Sequence, residues 1–375
     1  MSRHVIVHQF DPTRHVVGGI DGLIRDLVEH AGDQHRFAIL GVQRESRGVG
    51  QWRRVTVGNS EIEFMPVVAL EAGNQDRRVP HSLRVTAGLL RHRPEIGPAL
   101  VHIHRVELGV AASLLYRRAP RVQFIHGDAR EAFRWREETI WRFAPRLYEG
   151  LENLAVRRAA ATLVMSRSAL GRLRRHAPKA LLGKNWFDAR HFHPRDHERA
   201  QPPLVGWAGR LEPPKDPLKA VRVFAELRRR RVPFEGWIAG TGTLENEVRA
   251  AIRELGLEST VRMLGVLEPD RLGAELGRTS VFLMTSLWEG IPRMTIEALA
   301  CGVPVVSTPV GEMAAFVRDG VTGFIVPSAT AEGLARAVTA ALEVEAGAPI
   351  ARTVEHLEVG RVVPELLAQL VAATR

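Results

Sequence analysis

The chain has 375 residues, of which 45% are hydrophobic and 25% charged, and its formal net charge is +10. This balance excludes a disordered or fibrous protein, and the length favours two domains. The single cysteine, Cys301, excludes a disulfide framework or a cysteine-rich metal centre and fits a reducing cytoplasm. No apolar run approaches the ~18 residues of a membrane span, and the N-terminus lacks a signal-peptide core, so we expect a cytoplasmic protein.

Arginine supplies nearly all of the positive charge, since lysine occurs only at positions 179, 184, 215 and 219. A biased composition would explain this excess, and so would an anionic substrate or an anionic membrane surface. The basic residues are scattered and form no nucleic-acid-binding motif, so we expect no nucleic-acid partner. Peripheral contact with the inner face of the membrane stays open.

Apolar runs alternate with helical or polar segments along the chain, which is typical of parallel sheets buried on both faces. In the first half, the pattern predicts strands at 5–8, 37–42, 62–68, 100–103, 122–125 and 161–165, with a helix at 20–29. In the second half, it predicts strands at 204–208, 234–239, 261–264, 281–284, 303–307 and 323–326. Helices are predicted there at 218–229, 244–255, 269–276 and 295–300, and one or two more at 354–373.

A polar, proline-rich segment at 191–203 predicts a linker between the two halves. The predicted fold class is therefore α/β, with two Rossmann-like doubly wound domains facing across a cleft. We expect an N-terminal domain at 1–190, a C-terminal domain at 204–350 and a helical tail at 351–375. Whether the tail packs back on the N-terminal domain stays open.

Residues 129–158 combine five aromatic side chains with several arginines and glutamates. One interpretation is a long amphipathic helix whose aromatics pack on the N-terminal sheet. The alternative is a surface that contacts a lipid headgroup or a bulky acceptor, since Trp and Arg suit interfaces.

Two glutamates follow the predicted strand at 281–284. Glu289 lies in a glycine-containing loop, and Glu297 lies about one turn into a helix that begins near Arg293. Backbone N–H groups at the start of such a helix attract phosphate oxygens. Carboxylates and phosphate repel each other, so carboxylates beside a phosphate site need another role. One glutamate could accept hydrogen bonds from the hydroxyls of a ribose, and the other from the hydroxyls of a sugar. Two solvated surface glutamates would give the same pattern.

Two further signals come from residues that follow predicted strands. Arg210 and Lys215 lie five positions apart on one loop and could clamp a diphosphate, although exposed cations are common. His126 ends a strand, where a histidine is either structural or functional. No D-x-D pattern and no histidine pair with carboxylate support occurs, and His102 and His104 look incidental, so we expect no metal.

The segment EGIPRMTIE, residues 289–297, resembles the E-x7-E signature of retaining GT-B glycosyltransferases of glycosyltransferase family 4, the glycosyl transferases group 1. The following ALACGVPVVSTPVGEMAAFVRDGVTGFIV is similar to the C-terminal domain of the same family. The resemblance covers about residues 204–330, and the first half is similar in pattern rather than in letters. Family members usually have an aromatic and an aliphatic residue where this chain has Ile291 and Arg293.

The resemblance implies roles for individual residues. Glu297 would bind the nucleotide ribose, Glu289 would lie against the transferred sugar, and His126 would contact that sugar. Arg210 and Lys215 would stabilise the leaving diphosphate. The other donor-binding positions that the resemblance indicates are Gly18, Gly19, Gly240, Gly265, Val266, Gly290, Ile291, Pro292, Arg293 and Met294.

The resemblance thus implies a metal-independent, retaining hexosyl- or N-acetylhexosaminyltransferase. The donor would be a UDP- or GDP-sugar, and the acceptor a hydroxyl of a glycan, a lipid-linked molecule or a small molecule, with polysaccharide biosynthesis as the expected role. Two alternatives stay open. One is a nucleotide-sugar isomerase of the UDP-sugar 2-epimerase type on the same fold, and the other is a catalytically degenerate nucleotide-binding scaffold.

Overall fold

The structure is a computed structural model that describes residues 2–14, 19–70, 81–130, 140–195 and 200–374. The chain divides into two compact units. The first comprises Met1–Gly183 with Val363–Arg375, and the second comprises Lys184–Val362. Each unit is built around its own sheet, and the two are described separately below.

The first unit contains eight described strands: β1 (Ser2–Val7), β2 (His35–Gln43), β3 (Arg53–Val57), β4 (Ser60–Ala69), β5 (Leu100–Ile103), β6 (Arg121–Ile125), β7 (Ala161–Val164) and β8 (Leu181–Leu182). Its described helices are α1 (Gly19–Glu29), α2 (His81–His92), α3 (Val106–Leu115), α4 (Pro145–Arg158) and α5 (Arg167–Leu173). The strand order is β3-β4-β2-β1-β5-β6-β7-β8. Val5, Ile6 and Val7 of the central strand β1 are fully buried, which is why this strand has no polar alternation.

The pairing of β3 with β4 is antiparallel, unlike the other pairings in this sheet. Val57 pairs with Ser60 across a two-residue turn, and Gly58 adopts a φ of 55° there. The strand β3 was not predicted, because RRVTV lacks a continuous apolar run and most of its residues are exposed or half-buried. The strand β8 was not predicted either, since it has only two residues.

The second unit contains six described strands: β9 (Leu204–Ala208), β10 (Glu235–Ala239), β11 (Val261–Gly265), β12 (Val281–Met284), β13 (Val305–Ser307) and β14 (Gly323–Ile325). Its described α-helices are α6 (Pro217–Arg229), α7 (Glu245–Glu254), α8 (Pro269–Arg278), α9 (Arg293–Ala300), α10 (Ala331–Ala341) and α11 (Ala348–Ala351). The six strands and α6 to α9 lie at or within a few residues of their predicted positions, whereas α10 and α11 were not predicted.

All pairings in the second sheet are parallel, and the order is β11-β10-β9-β12-β13-β14. The chain order runs outward from β9 in both directions, so the topological switch point lies between β9 and β12. Trp237 and Phe282 belong to one core, and the next residues, Ile238 and Leu283, belong to the core on the other face. Ligands of doubly wound sheets bind outside the carboxyl ends of the strands at such a switch point.

The division between the units differs from the predicted linker at 191–203. Phe187 and Phe192 are buried in a core of the second unit, so that unit begins before the proline-rich segment. The last helix, α12 (Val359–Ala373), follows a single 3-10 turn at Glu355–Leu357. The residues from Val363 onward group with the first unit.

The aromatic stretch 129–158 is not one continuous helix. Residues 131–139 lie outside the described part of the chain, and a 3-10 turn at Ile140–Phe143 ends before Pro145 starts α4. Trp141 donates from Nε1 to Glu107 Oε1 at 2.8 Å, whereas Phe143 is 77% exposed. One aromatic side chain of this stretch is thus bonded to α3, and another lies on the surface. No helix in the described residues combines the length and apolarity needed to cross a membrane.

Candidate functional site

The candidate site of the second unit lies at the carboxyl ends of β9 and β12. The loop after β9 carries Lys215, and the loop after β12 carries Glu289. Leu287 donates its backbone N–H to Pro214 O at 2.9 Å, which joins the two loops. Because β9 and β12 are neighbours, residues 70 or more positions apart in sequence meet at this edge.

A buried threonine fixes the relative position of these loops. Thr285 is fully buried, and its Oγ1 lies 3.0 Å from Lys215 O and 2.8 Å from Asp216 O. The same oxygen accepts a hydrogen bond from Trp207 Nε1 at 2.9 Å. These hydrogen bonds anchor the loop that carries Lys215 to the end of β12.

Glu289 is bound by two donors at one of its oxygens. Lys215 Nζ forms an ion pair with Glu289 Oε1, and Ser286 Oγ donates to the same oxygen at 2.7 Å. The side chain of Glu289 is only 11% exposed, and that of Lys215 is 25% exposed. No hydrogen bond to Oε2 of Glu289 is present within the described ranges, so this oxygen can accept from a ligand.

The start of α9 combines a helix terminus with a second ion pair. Pro292 is the N-cap, and Arg293 is the first helical residue. Arg293 donates from Nε to Glu297 Oε1 at 2.7 Å, and the Glu297 side chain is only 6% exposed. The first N–H groups of a helix have no intrahelical acceptor, so those of Arg293 and Met294 can bind an anion. Gly290 and Ile291 complete the loop that leads into this terminus.

Arg210, which was predicted to bind a diphosphate together with Lys215, forms no ion pair within the described ranges of the kind that Lys215 forms. Its side chain is exposed and forms no hydrogen bond or ion pair with any residue that the structure describes. The loop itself is anchored, because Leu211 N donates to Thr241 O at 2.9 Å. Among the described residues, the Arg210 guanidinium is thus a cation at this edge without a bonded partner, and it can turn toward an anion.

The ends of β10 and β11 border the same edge. Gly240 has a φ of 129°, and a Cβ there would lie 1.8 Å from Gly209 O. Its N–H donates to Gly265 O at 2.6 Å, so the loops after three neighbouring strands contact one another. Val266, the next residue, is 44% exposed. The structure thus places Gly240, Gly265 and Val266 at the edge that carries the two ion pairs.

In the first unit, Gly19 begins α1, and Gly18 lies outside the described residues. His126 directly follows β6, as predicted, and its Nε2 lies 3.0 Å from His104 Nδ1. Burial lowers the pKa of His126 to about 3, with smaller contributions from His8 and Arg105. The imidazole is therefore neutral at physiological pH.

His102 and His104 were predicted to be an incidental pair with respect to metal binding, and each of them has a histidine partner on another strand or at its end. His102 Nε2 lies 2.9 Å from His4 Nδ1, and His4 Nε2 lies 2.8 Å from His35 Nδ1. His104 pairs with His126 instead. The H-x-H spacing at the end of a buried strand was the available signal, but pairing between strands cannot be read from one strand. No group of three or more His, Cys, Asp or Glu in the described part of the chain could hold a metal ion.

Residues 189–353 match the family model described as Glycosyl transferases group 1. The putative colanic acid biosynthesis glycosyltransferase WcaL of Escherichia coli (strain K12) is 30% identical over 208 residues, 52% of this chain and 51% of WcaL. The D-inositol 3-phosphate glycosyltransferase of Streptomyces griseus subsp. griseus is 37% identical over 141 residues, 35% of this chain and 30% of that protein. The chain thus spans about half of the first relative's length and less of the second's.

Two solved structures show the same fold over their whole length. Sucrose-phosphate synthase from Thermosynechococcus elongatus has a TM-score of 0.80 at 18% identity, and the similarity covers 100% of both chains. Anabaena Alr3699/HepE, in complex with UDP and glucose, has a TM-score of 0.69 at 17% identity with the same coverage. The chain therefore has the GT-B fold, as predicted.

Proposed function

We propose that this protein is a retaining glycosyltransferase that transfers a sugar from a nucleotide-sugar donor to a hydroxyl group. The observation that carries the proposal is the arrangement of Lys215, Glu289, Arg293 and Glu297. These residues form two ion pairs at the switch point of the second sheet, within the segment that matches the glycosyltransferase family model.

The donor diphosphate would bind between the start of α9 and the loop after β9. The N–H groups of Arg293 and Met294, the free guanidinium of Arg210 and the ammonium of Lys215 all favour negative charge there. These groups stabilise a leaving diphosphate without a metal, and metal independence is part of the proposal. Glu297 would accept hydrogen bonds from the ribose hydroxyls.

The transferred sugar would lie against Glu289. Lys215 and Ser286 both donate to Oε1, which leaves Oε2 to accept from a sugar hydroxyl. A carboxylate bound in this way orients the sugar and does not attack it. The bond between the anomeric carbon and the phosphate oxygen breaks, and the acceptor oxygen bonds to that carbon on the same face. The acceptor proton passes to the departing phosphate.

The donor is proposed to be a UDP-sugar, with a GDP-sugar as the second choice. Alr3699/HepE was solved with UDP and with UDP-glucose, and pneumococcal GtfA with UDP and GlcNAc, which supports a hexosyl or N-acetylhexosaminyl donor. The name of WcaL refers to colanic acid biosynthesis, which supports a glycan or lipid-linked acceptor in a polysaccharide pathway. The inositol phosphate relatives support a small-molecule acceptor instead.

Peripheral binding of the first unit to an anionic membrane is the second part of the proposal. Phe143 is 77% exposed and Leu147 60%, and the exposed Arg146 lies between them in sequence. Apolar side chains beside a cation suit an anionic lipid surface. Sedimentation with phosphatidylglycerol vesicles should fall for Phe143→Ser/Leu147→Ser but not for Leu90→Ser, a matched exposed leucine on α2. Equal sedimentation of all three proteins would contradict membrane contact through these residues.

Turnover tests the transferase proposal. Release of nucleoside diphosphate from UDP- and GDP-sugars is followed with and without a panel of glycan, lipid-linked and inositol phosphate acceptors. We expect release that depends on an acceptor, a product with the donor's anomeric configuration, and loss of release in Glu289→Gln but not in Glu254→Gln on the surface of α7. Nucleotide release with a 2-epimer as product would indicate an isomerase, and binding without turnover would indicate a scaffold.

A further inference from the structure

His104 and His126 form a hydrogen-bonded pair at the carboxyl ends of two neighbouring strands of the first unit. The atoms His104 Nδ1 and His126 Nε2 are 3.0 Å apart. The ring centroids are 5.2 Å apart and the ring planes differ by only 17°. Two nearly coplanar imidazoles at this spacing have their nitrogens directed edge to edge, which is the geometry of an N–H···N hydrogen bond.

The orientation of the His104 ring is fixed by its surroundings. Phe124 stacks on it with ring centroids 4.3 Å apart and planes at 16°. The residue is 2% exposed, and its Nε2 is buried without a hydrogen-bond partner in the described residues. His126 is only half-buried, and no described residue bonds to its Nδ1. The pair therefore has one buried end, at His104, and one end that a ligand can reach, at His126.

Both imidazoles are neutral near physiological pH. Burial, followed by the charges of His126 and His8, lowers the pKa of His104 well below its usual value. Burial also lowers the pKa of His126 to about 3. A neutral imidazole has one N–H and one acceptor nitrogen, so a hydrogen bond between two of them couples the tautomer of one ring to that of the other.

Two arrangements of the protons are compatible with the bond. If His126 donated from Nε2, His104 would carry its proton on Nε2, and that N–H would be buried without an acceptor. If His104 donates from Nδ1, the buried Nε2 is an acceptor nitrogen without a donor. Orphaned buried N–H groups are rarer than under-satisfied acceptors in proteins. The nearby positive charge of Arg105, which contributes to the low pKa of His104, also favours a lone pair over an N–H.

We propose that His104 is a positioning residue that donates from Nδ1 to His126 Nε2 and so holds His126 in the Nδ1–H tautomer. His126 then presents an N–H donor to a ligand oxygen, such as a hydroxyl or ring oxygen of a sugar. A histidine held in this form donates a hydrogen bond and cannot accept a proton at the ligand-facing nitrogen. The sugar as the ligand of His126 rests on the proposed function, whereas the tautomer of His126 does not.

The tautomer is measured directly by two-bond proton–nitrogen correlation spectra of the full chain containing nitrogen-15-labelled histidine. The His126 signals are assigned by their loss in His126→Asn. An unconstrained neutral histidine carries its proton mainly on Nε2. The proposal therefore expects the unusual pattern, with Nδ1 of His126 in the protonated region and Nε2 in the acceptor region.

Two variants test whether His104 sets the tautomer of His126 or only fills space in the first unit. His104→Phe keeps the stacking on Phe124 but removes the donor, and it should return His126 to the common Nε2–H form. His102→Phe, on the same strand, removes the partner of His4 and should leave the His126 spectrum unchanged.

An Nε2–H form of His126 in the wild-type protein would overturn the proposal, and so would an unchanged His126 spectrum in folded His104→Phe. If His104→Phe does not fold, the wild-type spectrum alone decides. Because the spectra need no substrate, failure of this inference is distinguishable from failure of the transferase proposal.

Discussion

Arg293 donates from Nε to Glu297 Oε1 at 2.7 Å, one turn apart at the start of α9. The pair places a cation beside a carboxylate that is almost completely buried at the edge of the second sheet. The pairing explains how an arginine is accommodated in an otherwise apolar turn.

Arg293→Leu should destabilise the protein, because it removes the cation that is paired with the almost completely buried carboxylate of Glu297. We expect a loss of about 1–3 kcal/mol in the free energy of unfolding. Urea denaturation of the single variants and of Arg293→Leu/Glu297→Gln measures the coupling as a double-mutant cycle. The double variant should recover much of the loss, whereas simple additivity would show that the pair is not coupled.

Lys215→Met should lower turnover strongly while the protein stays folded. Removal of one preorganised donor to a developing negative charge typically costs on the order of 100-fold or more in rate. Lys219→Met is the matched control, since Lys219 on α6 pairs with Asp216, the N-cap of that helix, and has no part in the proposed site. Initial rates of nucleotide release measure the effect, and equal rates in both variants would remove Lys215 from the donor site.

Gly240→Ala should disrupt the loop between β10 and α7. The added Cβ would lie 1.8 Å from Gly209 O, and the φ of 129° is one that alanine rarely adopts. Gly150→Ala on α4 is the control, because nothing lies within 4 Å of its Cβ and alanine favours a helix. Thermal melts should show a lower Tm for Gly240→Ala and an unchanged or higher Tm for Gly150→Ala. A normal Tm and normal nucleotide binding in Gly240→Ala would contradict the tight contact between these loops.

The stability of the first unit should fall as the pH drops below neutrality. Burial and the charge of His35 lower the pKa of His4 from 6.5 to about 4, and burial lowers the pKa of His102 well below 6.5. The unfolded chain therefore binds protons below about pH 6.5 that the folded chain does not bind until about pH 4. At 1.36 kcal/mol per unit, His4 alone accounts for a loss of about 3 kcal/mol across this window.

His102→Leu provides the comparison, because it removes one of the two fully buried members of the histidine cluster His4, His35 and His102. Its free energy of unfolding, measured by urea denaturation at several pH values, should depend less on pH than that of the wild type. The same pH slope in both proteins would show that this cluster does not cause the acid sensitivity.

Part of the site could be predicted because its signals are local in sequence. The segment 281–297 predicted a buried strand, a glycine-containing loop and a helix starting near Arg293, and the structure has β12 and α9 in these places. Periodicity and residue type specify such a strand–loop–helix without information from elsewhere in the chain. The parallel, buried strands of both units were predicted for the same reason.

The contacts between distant segments could not be predicted in the same way. The ion pair of Lys215 with Glu289 joins residues 74 positions apart, and it exists because β9 and β12 are neighbours in the sheet. The bond between His104 and His126 depends likewise on the pairing of β5 with β6. A single sequence predicts the strands but not their order in the sheet. It therefore predicts which residues lie at the same edge, but not which of them contact one another.

The most direct test of the central claim, a nucleotide-sugar site on the second unit, is calorimetric titration of the purified protein with UDP, GDP and ADP. We expect UDP or GDP to bind with the same affinity with and without EDTA, and Glu297→Gln to bind the same nucleotide much more weakly than Glu254→Gln does. Absence of binding by any of these nucleotides to the folded protein, or equal affinity in the two variants, would contradict the account.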